Sequence, residues 1–382
     1  MVVMKSLLVA FLSLFLISAH AEQPLVLPLP PAPDLAAKAY LLKDVTSGQV
    51  LVERNAHERV EPASLTKLMT AYVTFVALKQ NRISLTQTLP VSEKAWRTEG
   101  SRMFIEPNKP VTVEELIHGM IVQSGNDACI ALAEGIAGSE ENFVHLMNQE
   151  ALRLGMKNTH FANATGLPDP QHYSTAYDLS LLTTAIIRDF PEYHPYYSIK
   201  EYRYNNITQP NRNRLLWLDP NVDGMKTGHT ESAGFCLITS AKRNNRRMVS
   251  VVLGTASDNA RTLESQKLLN YGFQFYDTVR VYQKGQAVTK LPVWKGSENM
   301  LKAGFNKDFY ITVPKGQYSR VKISLTSTQP LLAPINAGQK VGTARFMLDN
   351  KVIAEPDLLA LEDVGVANVF GRAWDTVKLW FK

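Results

Sequence analysis

Three short clusters in this chain combine residue types that could do chemistry. In Ser64-Leu-Thr-Lys67, a spacing of three places a hydroxyl and an amine on one face of a helix. A serine hydroxyl is a poor nucleophile by itself. A lysine becomes a base only when burial or a neighbouring cation lowers its pKa. The spacing alone is weak evidence, because Ser319-Arg-Val-Lys322 repeats it where the sequence reads as an exposed strand. Ser124-Gly-Asn126 ends the apolar run IHGMIVQ, where a helix should give way to a loop. A hydroxyl and an amide in such a turn could relay a proton and hold a carbonyl. The generic pattern recurs at Ser257-Asp-Asn259 and Ser297-Glu-Asn299, where a capped turn accounts for it. Lys226-Thr-Gly228 occurs once, after Val222-Asp-Gly-Met225. It offers a positive charge, a hydroxyl and a glycine beside which a ligand backbone could lie. An ordinary strand-to-turn junction would look the same.

The elements that must position these clusters follow from periodicity. Residues 22–34 carry five prolines and read as an extended leader. KAYLLKDV, a Thr46-Ser47-Gly48 turn and QVLVERN form a hairpin. After Pro62, apolar residues Leu65, Leu68, Met69, Tyr72, Val73 and Val76 give one broad helical face, with further helices at 113–123, 126–136, 140–154 and 176–189. Residues 232–242 and 247–254 form a second hairpin across Arg243-Asn244-Asn245-Arg246, apolar enough for central strands, and 259–276 returns to helix. Strands at both ends of a helical middle predict an α+β domain over 35–279, a sheet covered by helices. DFYITVP, RVKISLT and QKVGTARFML alternate apolar and polar, so 280–365 reads as a small all-β domain. In the last segment, 366–382, Phe370, Trp374, Val377 and Phe381 share a helical face while Arg372, Lys378 and Lys382 outnumber Asp375. That pattern suits an amphipathic helix lying in an anionic membrane interface, against the plainer reading of a helix packed on its own domain.

Composition sets the bounds. The 382 residues are 45% hydrophobic and 20% charged, which is globular and large enough for two or three domains. The net charge of +6 suits an anionic surface, and no RNP, zinc-finger or basic-helix pattern points to nucleic acid. Met1–Ala21 has Lys5, an apolar stretch and a terminal Ala19-His20-Ala21, so it reads as a cleaved secretory signal in preference to an anchor. Of a possible disulfide and two buried thiols, the contexts of Cys129 and Cys236 favour the thiols. Histidines 57, 118, 145, 160, 172 and 194 are scattered without a His-x-x-x-His pair, and neither a metal nor a cofactor is expected.

Each motif could arise by chance, but the ordered set Ser-x-x-Lys, Ser-x-Asn, Lys-Thr-Gly is the signature of serine penicillin-recognising enzymes. The chain resembles the low-molecular-mass penicillin-binding proteins that act as D-alanyl-D-alanine carboxypeptidases. The words EPASLTKLMTAYV, GSRMFIEP, QSGNDACIALAE, MKNTHFANATGLP, NRNRLLW and DGMKTGHTESAGFCL carry the resemblance across about residues 35–277. It implies a β-lactamase/DD-peptidase-like fold and an exported enzyme at the periplasmic face of the inner membrane. The substrate would be a peptidoglycan pentapeptide, and β-lactams would be covalent inhibitors. By the same resemblance, Ser64 attacks the D-Ala-D-Ala carbonyl, Lys67 takes its proton, and Ser124 and Asn126 pass it on and orient the peptide. Lys226 and Thr227, at Gly228, meet the terminal carboxylate, and the N–H groups of Ser64 and His229 form an oxyanion hole. Arg261 and Arg212 would add charge near the carboxylate, although either could equally serve a structural ion pair.

Three alternatives stay open: a DD-endopeptidase, a serine β-lactamase and a non-catalytic wall-peptide binder. A class A β-lactamase needs a Glu-x-x-Leu-Asn loop, but the one Leu-Asn pair here, Leu269-Asn270, has Gln266 in the glutamate's place. The intact Ser64/Lys67 pair weighs against a pure binder. Oligomeric state is not legible in the sequence.

Overall fold

The computed structural model describes residues 29–380, so the expected signal sequence and the first part of the Pro-rich leader lie outside the described residues. Strand β1 (Ala39–Asp44) and β2 (Val50–Arg54) form the expected first hairpin. The helical middle comprises α1 (Lys67–Lys79), α2 (Val113–Val122), α3 (Asn126–Ala137), α4 (Glu140–Arg153) and α5 (Ala176–Asp189). Strands β3 (Val222–Thr230), β4 (Gly234–Arg243) and β5 (Arg246–Thr255) follow, then α6 (Asp258–Phe275). They assemble into one antiparallel sheet in the order β2-β1-β5-β4-β3. The strand from the beginning of the chain therefore pairs with one from near the end of the domain, which closes the domain around its helices.

Both faces of this sheet are buried, which explains the nearly continuous apolar runs of its central strands. Leu41, Ile238, Val249 and Val251 join the core under α1 to α5. Leu42, Leu237, Met248 and Val252 alternate onto the other face, against Leu268 and Leu269 of α6. The periodicity of α1 predicts a single apolar face, but the helix is buried almost all round, from Lys67 to Phe75. It runs through the middle of the helical layer, so its polar side chains are also inside and must find partners there. Thr70 donates to the Ala164 carbonyl at 2.7 Å and Thr74 to the Thr70 carbonyl at 2.8 Å.

Several short elements escape the sequence reading. They are a helical turn at Glu93–Arg97, a two-residue pairing of Thr88–Leu89 with Val111–Thr112, and a hairpin of Glu201–Tyr204 with Ile207–Pro210. Ser319 lies in a 3-10 turn, Tyr318–Arg320, and not in the expected strand, which begins at Lys322.

The last part of the chain is all-β apart from its end. Strand β6 (Tyr276–Tyr282) leaves α6 directly and pairs antiparallel with β7 (Phe309–Pro314). Leu301, Ile311, Val341, Phe346 and Leu358 form the core of this region. A polar seam joins it to the first hairpin. Ser47 and Thr312 share a hydroxyl hydrogen bond at 2.7 Å, and the Gln49 amide donates to the carbonyls of Thr312 (3.2 Å) and Ile353 (3.0 Å). The chain ends in helix α7 (Val369–Trp380).

Candidate active site

Ser64 lies in a 3-10 turn, Ala63–Thr66, that runs straight into α1. The residue before it, Ala63, is held at φ +48°, in the left-handed region that an alanine rarely adopts. The turn is clamped from both sides. Gly166 packs so closely that a Cβ there would fall 1.9 Å from the Ala63 carbonyl oxygen, and Gly228 faces Pro62 and Leu65 across the turn. Thr66 meets His172 Nε2 at 2.8 Å, while His172 Nδ1 accepts from the Ala162 N–H at 3.3 Å. The ring is therefore the tautomer that donates from Nε2 to the threonine hydroxyl. Burial lowers this histidine's pKa to about 4, which keeps it neutral.

Ser64 remains half-buried, whereas Lys67 is 1% exposed. The lysine Nζ donates to Ser64 Oγ at 3.0 Å and to the Thr165 carbonyl at 2.6 Å. Burial lowers its pKa to about 8, with Arg212 pushing the same way and Cys129 and Asp127 opposing. Burial also pushes the Cys129 thiol up to about 12, so that thiol carries no charge where the lysine titrates. A lysine shifted this far is neutral in about one molecule in ten at pH 7, against well under one in a thousand for an ordinary lysine. Its side-chain hydrogen-bond partner among the described residues is the hydroxyl of Ser64.

Helix α2 delivers Ser124. Its start is fixed by a capping box in which the Glu115 N–H donates to Thr112 Oγ1 at 3.2 Å and the Thr112 N–H to Glu115 at 2.9 Å. At its far end Ser124 turns the chain with φ +64° into α3. The Ser124 hydroxyl is buried and makes no hydrogen bond to the described residues. Asn126 is tied down instead: its side-chain amide donates to the Glu99 carbonyl at 2.6 Å and its backbone N–H to Ser101 at 2.7 Å.

Strand β3 is the outer strand of the sheet on this side, so its free edge faces the nucleophile turn. It carries Lys226, Thr227 and Gly228 in the middle of the strand, with Lys226 and Thr227 buried. Burial holds Lys226 well below the ordinary lysine range, and the charges of Lys67 and Arg212 add to that. A bound carboxylate would favour its protonation again. His229 is exposed and lies on Phe235, 4.0 Å between ring centroids, and the Arg261 guanidinium lies 5.6 Å from the same ring. Arg261 pairs with Asp258, the structural ion pair the sequence left open, and donates to the Gly228 carbonyl at 3.2 Å, which places it against the strand. Arg212 is exposed and forms no ion pair among the described residues.

Several contributors carry no sequence signal. Thr165 acts through a backbone carbonyl, which any residue supplies. Glu61 accepts from the hydroxyls of Thr230 (2.8 Å) and Ser232, lacing the end of β3 to the nucleophile turn, and only the fold brings these residues together. Cys129 and Cys236 are buried free thiols. The Ser257 copy of the Ser-x-Asn pattern is a capped turn, with the Ala260 N–H donating to Ser257 Oγ at 3.0 Å at the start of α6. A cavity of about 700 Å³ lined by Lys38, Arg59, Glu61 and Cys236 holds none of the motif residues and is not the site.

Comparison with known proteins decides the family. The family model described as "D-alanyl-D-alanine carboxypeptidase" matches residues 28–257, and the "Penicillin-binding protein 5, C-terminal domain" model matches 276–366. This chain belongs to the D-alanyl-D-alanine carboxypeptidase family. Among relatives of that family, the carboxypeptidase DacC of Escherichia coli is 45% identical over 380 residues, covering 97% of this chain and 94% of the relative. DacA of Haemophilus influenzae is 43% identical over 377 residues, with 97% and 95% covered. The crystal structure of penicillin-binding protein 5 from H. influenzae superposes with a TM-score of 0.84 at 43% identity, covering 88% of this chain and 99% of that one. Penicillin-binding protein D2 of Listeria monocytogenes, in its ampicillin-bound form, matches with a TM-score of 0.59 at 32% identity, covering 64% and 100%. Membership of this family makes the chain a serine peptidase of the cell wall, and its fold is the mixed sheet-and-helix domain with an all-β domain behind it.

Proposed function

We propose that the chain removes the terminal D-alanine from peptidoglycan pentapeptides through an acyl-enzyme on Ser64. The observation that carries this reading is the buried Lys67 amine, 3.0 Å from Ser64 Oγ and shifted to a pKa of about 8. The peptide lies extended along the free edge of β3, the usual way a strand edge takes a peptide. Its terminal carboxylate meets Lys226, Thr227 and Arg261, with Arg212 adding charge at the rim. Lys67 takes the Ser64 proton as Oγ attacks the carbonyl, and the N–H groups of Ser64 and His229 stabilise the oxyanion. Ser124, steadied beside Asn126, returns the proton to the departing D-alanine amine, and water then releases the shortened peptide. β-Lactams acylate the same serine.

The β-lactamase alternative is disfavoured by the position of Gln266: it lies on α6, across the sheet from α1 and away from the lysine. Residues 35–279 are read as the catalytic unit, 280–365 as a spacer, and 366–382 as the membrane-surface attachment of an exported enzyme.

The test incubates the purified protein with a diacetylated tripeptide ending in D-Ala-D-Ala and measures free D-alanine. The parent releases it, while Ser64→Ala and Lys67→Ala lose on the order of 10³-fold or more. Equal release by parent and Ser64→Ala, or none by the parent, would end this reading.

A further inference from the structure

The residue after Asn126 has no place in the mechanism above, and its surroundings are unusual. Asp127 is 1% exposed, yet no lysine, arginine or histidine pairs with it among the described residues. Its carboxylate is satisfied by backbone alone, accepting the N–H groups of Met103 (2.9 Å), Phe104 (2.8 Å), Ile105 (3.2 Å) and its own neighbour Ala128 (2.9 Å). Burial raises its pKa while these four bonds oppose the rise. Three consecutive amides converge on one group only if the backbone curls, and Phe104 sits at φ +69° to allow it.

The bonds around this carboxylate run in two directions. Asn126 donates to the carbonyls of Glu99 and Ser101, and residues 103–105 donate back to Asp127. The segment 99–105 and the Ser124-Gly125-Asn126 turn are thereby locked as one piece. Gly125 completes the lock, since a Cβ there would fall 2.8 Å from Asp127 Oδ1 and 3.2 Å from the Met103 nitrogen. No regular element holds residues 101–105 in place. The carboxylate supplies what a strand ladder would otherwise supply.

We propose that Asp127 is a positioning residue for acyl transfer, its carboxylate clasping residues 103–105 so that the Ser124–Asn126 turn is held against the nucleophile. The proposal rests on the reading of Ser64 as the acylated residue. Asp127→Asn keeps the shape but turns an N–H₂ group toward the backbone amides, so the clasp opens. It also removes a negative charge that favours protonation of Lys67. Gly125→Ala forces the clasp apart sterically and leaves the charge in place.

The experiment measures the second-order rate of Ser64 acylation by a fluorescent penicillin between pH 6 and 9, with thermal melting in parallel. Both variants are expected to acylate at least tenfold more slowly on the alkaline plateau. In Asp127→Asn the acid limb moves to lower pH, whereas in Gly125→Ala it stays where the parent's lies. A purely structural role would lower the melting temperature without moving that limb. The inference is overturned if Gly125→Ala acylates within twofold of the parent, or if Asp127→Asn keeps the parent's limb. If Asp127→Asn does not fold, Gly125→Ala alone decides. A parent that is not acylated at all refutes the nucleophile assignment instead, and the two failures are thus distinguishable.

Discussion

At the residue scale, the proposed acyl transfer depends on a lysine being kept from its ordinary charge state. Desolvation is the largest influence on Lys67, and it works because the amine is enclosed by α1, the Thr165 carbonyl and Ser64 Oγ. The sign of the pH dependence follows. The lysine is a base only when neutral, so acylation rises with pH through about 8 and levels off above it. Well below that point the rate should fall roughly tenfold per pH unit. Stopped-flow acylation of the full chain by a penicillin checks this, and a rate independent of pH between 6 and 9 would remove Lys67 as the base. Arginine at this position is no substitute, since its guanidinium does not release its proton in this range.

At the element scale, the nucleophile turn is held by its neighbours as well as by its own hydrogen bonds, such as that from the Leu65 N–H to the Pro62 carbonyl at 3.1 Å. Ala63 keeps its left-handed conformation because the loop bearing Thr165 and Gly166 lies directly on it. Gly166, at φ +85°, leaves no room for a methyl group. Gly166→Ala must therefore push either the turn or the loop, and the loop supplies the carbonyl that holds Lys67. Acylation is expected to fall by about 10²-fold or more while the sheet stays folded. Far-ultraviolet circular dichroism and a penicillin-labelling time course report the two separately; labelling at the parent's rate would show that the turn does not need this contact. A substitution at the α2 capping box, Thr112→Ala, is milder by contrast, about 1 kcal/mol of stability. The same scale shows how much was legible in the sequence. The α+β sheet and helices could be read because apolar period and turn chemistry are local signals. The contact between Ser64 and Lys67 could be read because a spacing of three puts both on one helical face. Thr165, Glu61 and His172 could not, since their roles come from a carbonyl, a cross-chain clasp and a buried tautomer that exist only once distant segments meet. The Glu201–Tyr204 hairpin was missed because each of its strands is only four residues long, too short for the alternation of Tyr202 and Tyr204 toward the core to stand out in the sequence.

At the scale of the whole molecule, the question is what the all-β region and the last helix add to a site complete without them. The polar seam through Ser47, Gln49 and Thr312 fixes the all-β region on the first hairpin of the catalytic sheet. At its other end the chain is pinned again: the Ala367 N–H donates to the Lys295 carbonyl at 2.8 Å, and the Lys295 N–H to Asp375 at 2.7 Å. Helix α7 therefore starts from a defined place on the all-β region, with Val369 and Trp374 more than half exposed at 67% and 63%. A large aromatic left outside on a helix with excess positive charge is the arrangement an anionic lipid surface would cover. Among the described residues no helix is long and apolar enough to cross a membrane, so attachment through this helix would be peripheral. A chain lacking residues 366–382 should stop co-sedimenting with vesicles containing anionic phosphatidylglycerol, while D-alanine release from a soluble peptide stays within twofold of the parent. Binding by the full chain should weaken as salt screens the basic residues, and Trp374→Ala should weaken it even at low salt because apolar contact is lost. If the truncated chain still sediments with the vesicles, attachment lies elsewhere. If the full chain does not bind anionic vesicles at all, the reading of α7 as a membrane-surface attachment falls.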